Sequence, residues 1–218
     1  MPAIAEVVSS SATEMVAQSL VQNDPVGAQT ASGLSLAPRR DSHKTDSVYK
    51  PRFGSFVRVT CGNEDLNIIA VVNNVITSSM DSIHRPSAFG LSKEQLRLEQ
   101  PQIFALLRTD IYASIIGYIQ SGRRFQHLPP HPPDVHDFVF AATVDEIVTI
   151  TDDFDFLRLL EGTSNGLVDE LMAACVREAY VARGKDQNFL LKAGQAFSQL
   201  FRSDYERLVS ILKKIKPQ

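Results

Sequence analysis

The sequence contains no tryptophan and two cysteines, and no apolar run in it approaches the roughly 18 residues that a membrane-spanning helix needs. Each absence excludes something. Cys61 and Cys175 are too few for a disulfide framework and read as free thiols in a reducing compartment. The first residues, MPAIAEVVSSSATEMV, lack the basic segment of a secretory signal and carry Glu6 and Glu14. A cytoplasmic protein without membrane insertion is therefore expected. Charge of either sign is also scarce in net terms: 22 Lys and Arg against 25 Asp and Glu leave −3, which gives no global pull toward nucleic acid or an anionic surface. Contacts of that kind would have to be local. What is present is ordinary for a globular chain, 44% hydrophobic and 22% charged, and 218 residues suffice for one medium domain or two small ones.

Residues 1–50 contain neither Phe nor Trp and are rich in Ser, Ala, Thr, Gln and Asp, with Pro25, Gly27, Gly33 and Pro38 breaking any period. Such a stretch buries too little apolar surface to offset its ordering entropy, and a flexible arm is expected. Within it, Ile4, Val7, Val8, Met15, Val16 and Leu20 could line a short amphipathic helix on a partner surface. The cluster Arg39, Arg40, His43 and Lys44 reads as a solvated linker rather than a nucleic-acid arm.

Residues 51–151 carry a β pattern. Phe56 to Thr60 alternates as a half-buried strand, and CGNED supplies a turn. Leu66 to Thr77 returns as a long strand whose run Ile68–Val72 predicts burial on both faces, with a bulge or bend at Asn73 and Asn74. Ser92 with Gln95 has capping-box spacing and opens a helix that Pro101 interrupts. Residues 109–120 form another strand, bent at Gly117, followed by the turn SGRR. Pro129, Pro130, Pro132 and Pro133 suit a rim crossing, Phe138 to Ala141 a short strand, and Thr143 with Glu146 a second capping box. A small barrel with few free edges satisfies this order.

Residues 152–218 are helical. Leu167, Val168, Leu171, Met172, Cys175, Val176, Ala179 and Tyr180 recur at helical spacing. Asp186 caps a second helix carrying Phe189, Leu190, Ala193, Phe197, Leu200 and Phe201. Ser203 with Glu206 is the box expected to open a third, carrying Tyr205, Leu208, Val209, Leu212 and Ile215, with Lys213, Lys214 and Lys216 complementing its dipole. The expected fold class is α+β, a small β-barrel followed by a helical bundle or a helical lid on the barrel.

GSFVRV, the long second strand, YASIIGYIQ and the closing PPHPPDVHDFVFAATVDEI together resemble the HAS-barrel domain, named for its occurrence in HerA-type DNA translocases and ATP synthases. The likeness covers roughly residues 53–150, and the whole chain is similar to standalone HAS-barrel proteins of bacteria, of a cyanobacterial type. The resemblance implies a barrel that precedes an ATPase core, helps form a hexameric crown and offers a docking surface, in the translocases to a nuclease. The chain departs from the motors where chemistry begins. No G-x-x-x-x-G-K-[ST] loop follows the barrel: the one Gly-Lys pair, Gly184 and Lys185, is followed by Asp186 and has Ala179 where the first glycine belongs. It reads as a helix stop, and with helices in place of the motor the chain is expected to be complete rather than truncated.

His127, His131 and His136, with Asp134 and Asp137 nearby, lack a recognised ligand spacing and read as rim histidines. The pairs Glu64–Asp65 and Asp152–Asp153 read as loop carboxylates rather than acid/base groups. No G-x-S-x-G occurs, and no cofactor is implied. The expectation is a non-enzymatic interaction or assembly module that binds a protein partner or a copy of itself, an ATPase or translocase complex being the partner class the resemblance implies. The alternative is a nucleic-acid-binding small barrel, with Arg123, Arg124 and Phe125 on the strand-end turn and Arg58 opposite as its contacts.

Overall fold

The computed structural model describes residues 1–20, 50–62, 65–79, 89–162 and 167–215. The basic cluster at residues 39–44 and Lys216 lie outside them.

The β-branched stretch forms the longest ladder. Strands β1 (Ala5–Ser10), β2 (Glu14–Ser19), β3 (Phe56–Cys61), β4 (Leu66–Ser79), β5 (Leu107–Gln120), β6 (Arg123–Phe125) and β7 (Phe138–Ala141) make one antiparallel sheet. Around the ring the order is β1-β2-β5-β4-β3-β7, and β7 pairs back onto β1, which closes a six-stranded barrel. Short β6 is a flap added to the end of β5. Between β4 and β5 lie α1 (Lys93–Glu99) and α2 (Pro101–Ala105); α3 (Val144–Ile150), α4 (Phe156–Glu161), α5 (Val168–Ala182), α6 (Gln187–Leu200) and α7 (Tyr205–Ile215) follow the barrel.

One expectation fails at the start of the chain. Residues 5–10 and 14–19 are neither a flexible arm nor a helix; they are the two strands that close the barrel. Ala5, Val7, Met15 and Ala17 alternate into the interior and are buried, and β1 and β2 pair with β7 and β5 far along the chain. That non-local pairing offsets the ordering entropy which low local hydrophobicity leaves uncovered.

Two apolar cores share a wall. Val57, Val59, Ile68, Ala70, Val72, Ile111, Ala113, Ile115 and Val139 fill the barrel. On the other face, Phe56, Ile69, Val71, Ile116 and Ile119 meet Phe156, Leu160, Met172, Val176, Phe189 and Phe197 of the helices. The doubly apolar run of β4 therefore serves both cores. On β5 a bulge makes this work: Ile69 pairs with Gly117 and Ala70 with Ile115, so the extra residue Ile116 shifts the phase and turns to the helices. Gly117 has no substitute there, because a Cβ would sit 2.2 Å from the Phe125 carbonyl oxygen.

The helices are a layer packed on the barrel. At the contact, Gly54 (φ +81°) lets the start of β3 lie on α5, where a Cβ would come 2.4 Å from that of Ala174. Burial on α5 is accordingly broader than the stripe, taking in Ala173 and Ala174, whereas Leu167 and Tyr205 are exposed. Thr143 caps α3 through the expected box, and Asp186 caps α6. The α7 cap differs: Asp204 Oδ1, not Ser203, accepts the Arg207 amide at 3.0 Å. Lys185 N–H donates to the Tyr180 carbonyl as the chain leaves α5, so the Gly-Lys pair is a helix stop.

Candidate functional site

The residues singled out for partner contact fall on two faces joined by α3. Arg58, half-buried on β3, donates from Nη1 to Glu146 Oε1 at 2.7 Å and lies over the Phe140 ring at 5.1 Å. Arg124 belongs to β6 rather than to a turn, and donates to Asp152 Oδ2 at 2.9 Å. Both carboxylates come from α3 or the residues just after it. That helix is held further at its C-terminus, where Arg183 donates to the Val148 carbonyl and Gln126 to the Ile150 carbonyl. Two of the three arginines are thus already compensated by carboxylates.

Arg123 is exposed, its guanidinium 6.0 Å from the centre of Phe125. Phe125 stacks on Tyr118 at 4.8 Å, and His127 meets both rings edge-on. The stacking platform that a nucleobase would use on Phe125 is occupied on one face by Tyr118. The histidines do not converge: His136 pairs with Glu6 of β1, while His127 Nδ1 lies 3.0 Å from the Leu128 carbonyl. Among the described residues no group of three or more His, Cys, Asp or Glu side chains could hold a metal ion. Burial and the Asp137 carboxylate push the Cys61 thiol up to about 12, and complete burial raises that of Cys175 further, so neither is poised as a nucleophile. Asp152 is engaged with Arg124, Asp153 Oδ1 accepts the Phe154 amide, and Lys214 pairs with Glu170 at 2.8 Å.

A site the residue patterns did not announce lies at the far end of β4 and β5. Pairing from β3 and the residues before it reaches β4 no further than Val72, and β2 reaches β5 no further than Asp110. Thr77–Ser79 and Leu107–Thr109 therefore pair with each other as a two-stranded ribbon. Beyond it, α1 is held by local chemistry: Ser92 Oγ accepts the Gln95 amide, and Gln95 Oε1 accepts that of Ser92. No residue of α1 is buried. Phe89, Leu91, Leu98 and Leu106 are all exposed along this arm, Leu98 to 78%. Single exposed apolar side chains are unremarkable; four of them fall within the short span of residues 89–106. The available signal was Leu96, Leu98 and Leu106 around a capping box, with too few apolar neighbours to make a core face.

No protein-family model and no curated protein matches the chain. Among the described residues no helix is long and apolar enough to cross a membrane.

Proposed function

We propose that this chain is a non-catalytic interaction module, a HAS-like barrel that presents the α1–α2 arm to a protein partner. The observation that carries the reading is the arm itself, a capped helix with no buried residue and four large apolar side chains, Phe89, Leu91, Leu98 and Leu106, exposed on it and its flanks. A ring-forming ATPase or translocase is the partner class, on the resemblance of residues 53–150 to barrels that crown such motors; a second copy of the chain is the competing occupant. The nucleic-acid alternative has less support, since Arg58 and Arg124 would have to give up carboxylate partners to reach phosphate.

Light scattering on the purified chain and affinity capture with it, each run for wild type and for Leu98→Glu/Leu106→Glu, test the proposal. Both side chains are exposed, so the double variant should fold normally. Retained partner should fall about tenfold or more in the variant, as expected for losing apolar anchors. A dimer that the variant dissolves assigns the arm to self-assembly. Equal capture and an unchanged oligomeric state in both proteins would remove the arm as the interface.

A further inference from the structure

The hairpin of β1 and β2 closes the barrel, yet one of its two seams is short. β2 pairs with β5 over Glu14–Gln18, while β1 meets β7 in two register pairs, Ala5 opposite Val139 and Glu6 opposite Phe138. Three backbone bonds flank that seam: Ile4 N–H donates to the Val139 carbonyl, Val7 N–H to that of Asp137, and His136 N–H to that of Val7. The buried side chains Ile4, Ala5, Val7, Met15 and Ala17 all belong to the barrel interior, and none of them enters the core beneath the helices. The hairpin is a self-contained insert between β5 and β7.

Its connection is far longer than its task requires. β2 and β3 stand three places apart in the six-stranded ring, on opposite sides of a barrel about 10–15 Å across. Residues 20–55 join them, a length of roughly 35 residues whose upper reach is about 120 Å. Chain length therefore does not tie a hairpin to the barrel of its own chain. The slot between β5 and β7 asks for an antiparallel strand at each edge and apolar side chains in alternation toward the interior, and the hairpin of a second copy meets both registers unchanged. We propose that the β1–β2 hairpin is exchangeable, and that two copies of this chain form a reciprocal dimer in which each hairpin completes the other's barrel. Every contact inside the barrel is kept, so the two closures differ only in the entropy of the tether. A tether of this length holds its own hairpin near the slot at about millimolar local concentration or below, so monomers prevail in dilute solution and dimers form as the chain is concentrated. Because buried side chains travel with the hairpin, it changes barrels only when the interior opens, not on collision of folded chains.

The test is to unfold the full chain in denaturant, refold it at about 20 μM and at about 200 μM, bring both samples to about 20 μM and size them by light scattering. A dimer that outlasts the dilution is expected, about tenfold more abundant after refolding at the higher concentration while it stays the minor species. A disulfide then identifies the closure. Chains carrying Glu6→Cys and chains carrying Phe138→Cys are refolded together, so that a bond across this register pair joins two chains. Neither side chain lies in the interior, and Phe138 is 52% exposed, so both variants should fold. The 6–138 link should be at least about tenfold more abundant in pools refolded together than in pools folded separately and then mixed. Leu98→Glu/Leu106→Glu should leave the dimer yield unchanged, which keeps exchange apart from association through the α1–α2 arm. No dimer that outlasts dilution, no 6–138 link, a link as abundant in separately folded pools, or a dimer lost in the arm variant would each overturn the proposal.

Discussion

The hairpin of β4 and β5 is one continuous ladder, from Leu66 opposite Gln120 to Ser79 opposite Leu107, yet its two halves are physically different objects. In the first half Ile68, Ala70 and Val72 face the barrel interior while Ile69 and Val71 face the helices, and all five are buried. In the second half pairing from the β3 side ends at Val72 and β2 ends beside Asp110, so Thr77–Ser79 pair with Leu107–Thr109 alone, and Ile76 at the last flanked position is already exposed. Hydrogen bonding is the same in kind along both. What separates them is cover: each fully buried aliphatic side chain contributes about 1.5–3 kcal/mol, whereas a bare two-stranded ribbon is marginal in water. Past its own core the chain extends the ladder and then a segment whose Phe89, Leu91, Leu98 and Leu106 stay exposed.

The widest expected gap between the halves is in amide hydrogen exchange. Amides of Ile69–Val72 and Ile115–Ile119 should exchange only through global unfolding, about 5–15 kcal/mol for a domain, while those of Ser78, Ser79 and Leu107 should exchange through local fraying near zero cost. A measured protection that is uniform along the ladder would erase the distinction, and with it the reason to regard the arm as unpartnered. Addition of a genuine partner should close the gap from the arm side alone.

A pair of truncations gives the next largest contrast. Ile69→Ala removes a side chain from the wall between the two cores and should cost about 2–5 kcal/mol in denaturant unfolding. Ile76→Ala, on the same strand and of the same chemistry, should stay within about 0.5 kcal/mol. Comparable losses at both positions would mean that the outer half is as well packed as the inner one.

The inner half was readable from residues because its causes are local. A β-branched run of Ile68–Val72, a pair of asparagines at the bulge and a glycine in β5 each announce their own geometry, and the capping boxes at Ser92 and Thr143 form as spaced. β1 and β2 were lost because composition was averaged over 50 residues, of which Pro25, Gly27, Gly33 and Pro38 mark only the later part. Three of their inward positions, Ala5, Val7 and Ala17, are small, Met15 is the one large side chain, and their partners lie on β7 and β5, so no local period reports the closure. Residues 156–161 fall within the stretch read as helical, but α4 has no stripe of its own to set it apart, since Phe156, Leu157 and Leu160 are buried by distant elements. For the site, arginines were legible as residue types, but the carboxylates that claim them, Glu146 and Asp152, become neighbours only once α3 lies across β3 and β6. The arm depends on where cover ends, which is a property of topology.

The smallest expected effect concerns how α3 is fastened to the covered half. Glu146 does two jobs with one carboxylate: Oε2 accepts the Thr143 amide at 2.7 Å, completing the cap, and Oε1 accepts from Arg58 of β3. Thr143 Oγ1 in turn accepts the Glu146 amide at 3.2 Å. Thr143→Ala should therefore cost about 0.5–2 kcal/mol, the ordinary range for losing an N-cap, with an unchanged denaturant dependence. Because the turn that Thr143 Oγ1 holds is the one that carries Glu146 to Arg58, the loss should shrink when Arg58→Ala is already present, a coupling that a double-mutant cycle reads directly. Strict additivity would show that the cap and the tie to the barrel act separately. An equal cycle between Ser92→Ala and Arg58→Ala should give no coupling, since α1 stands on the arm and its box holds only itself.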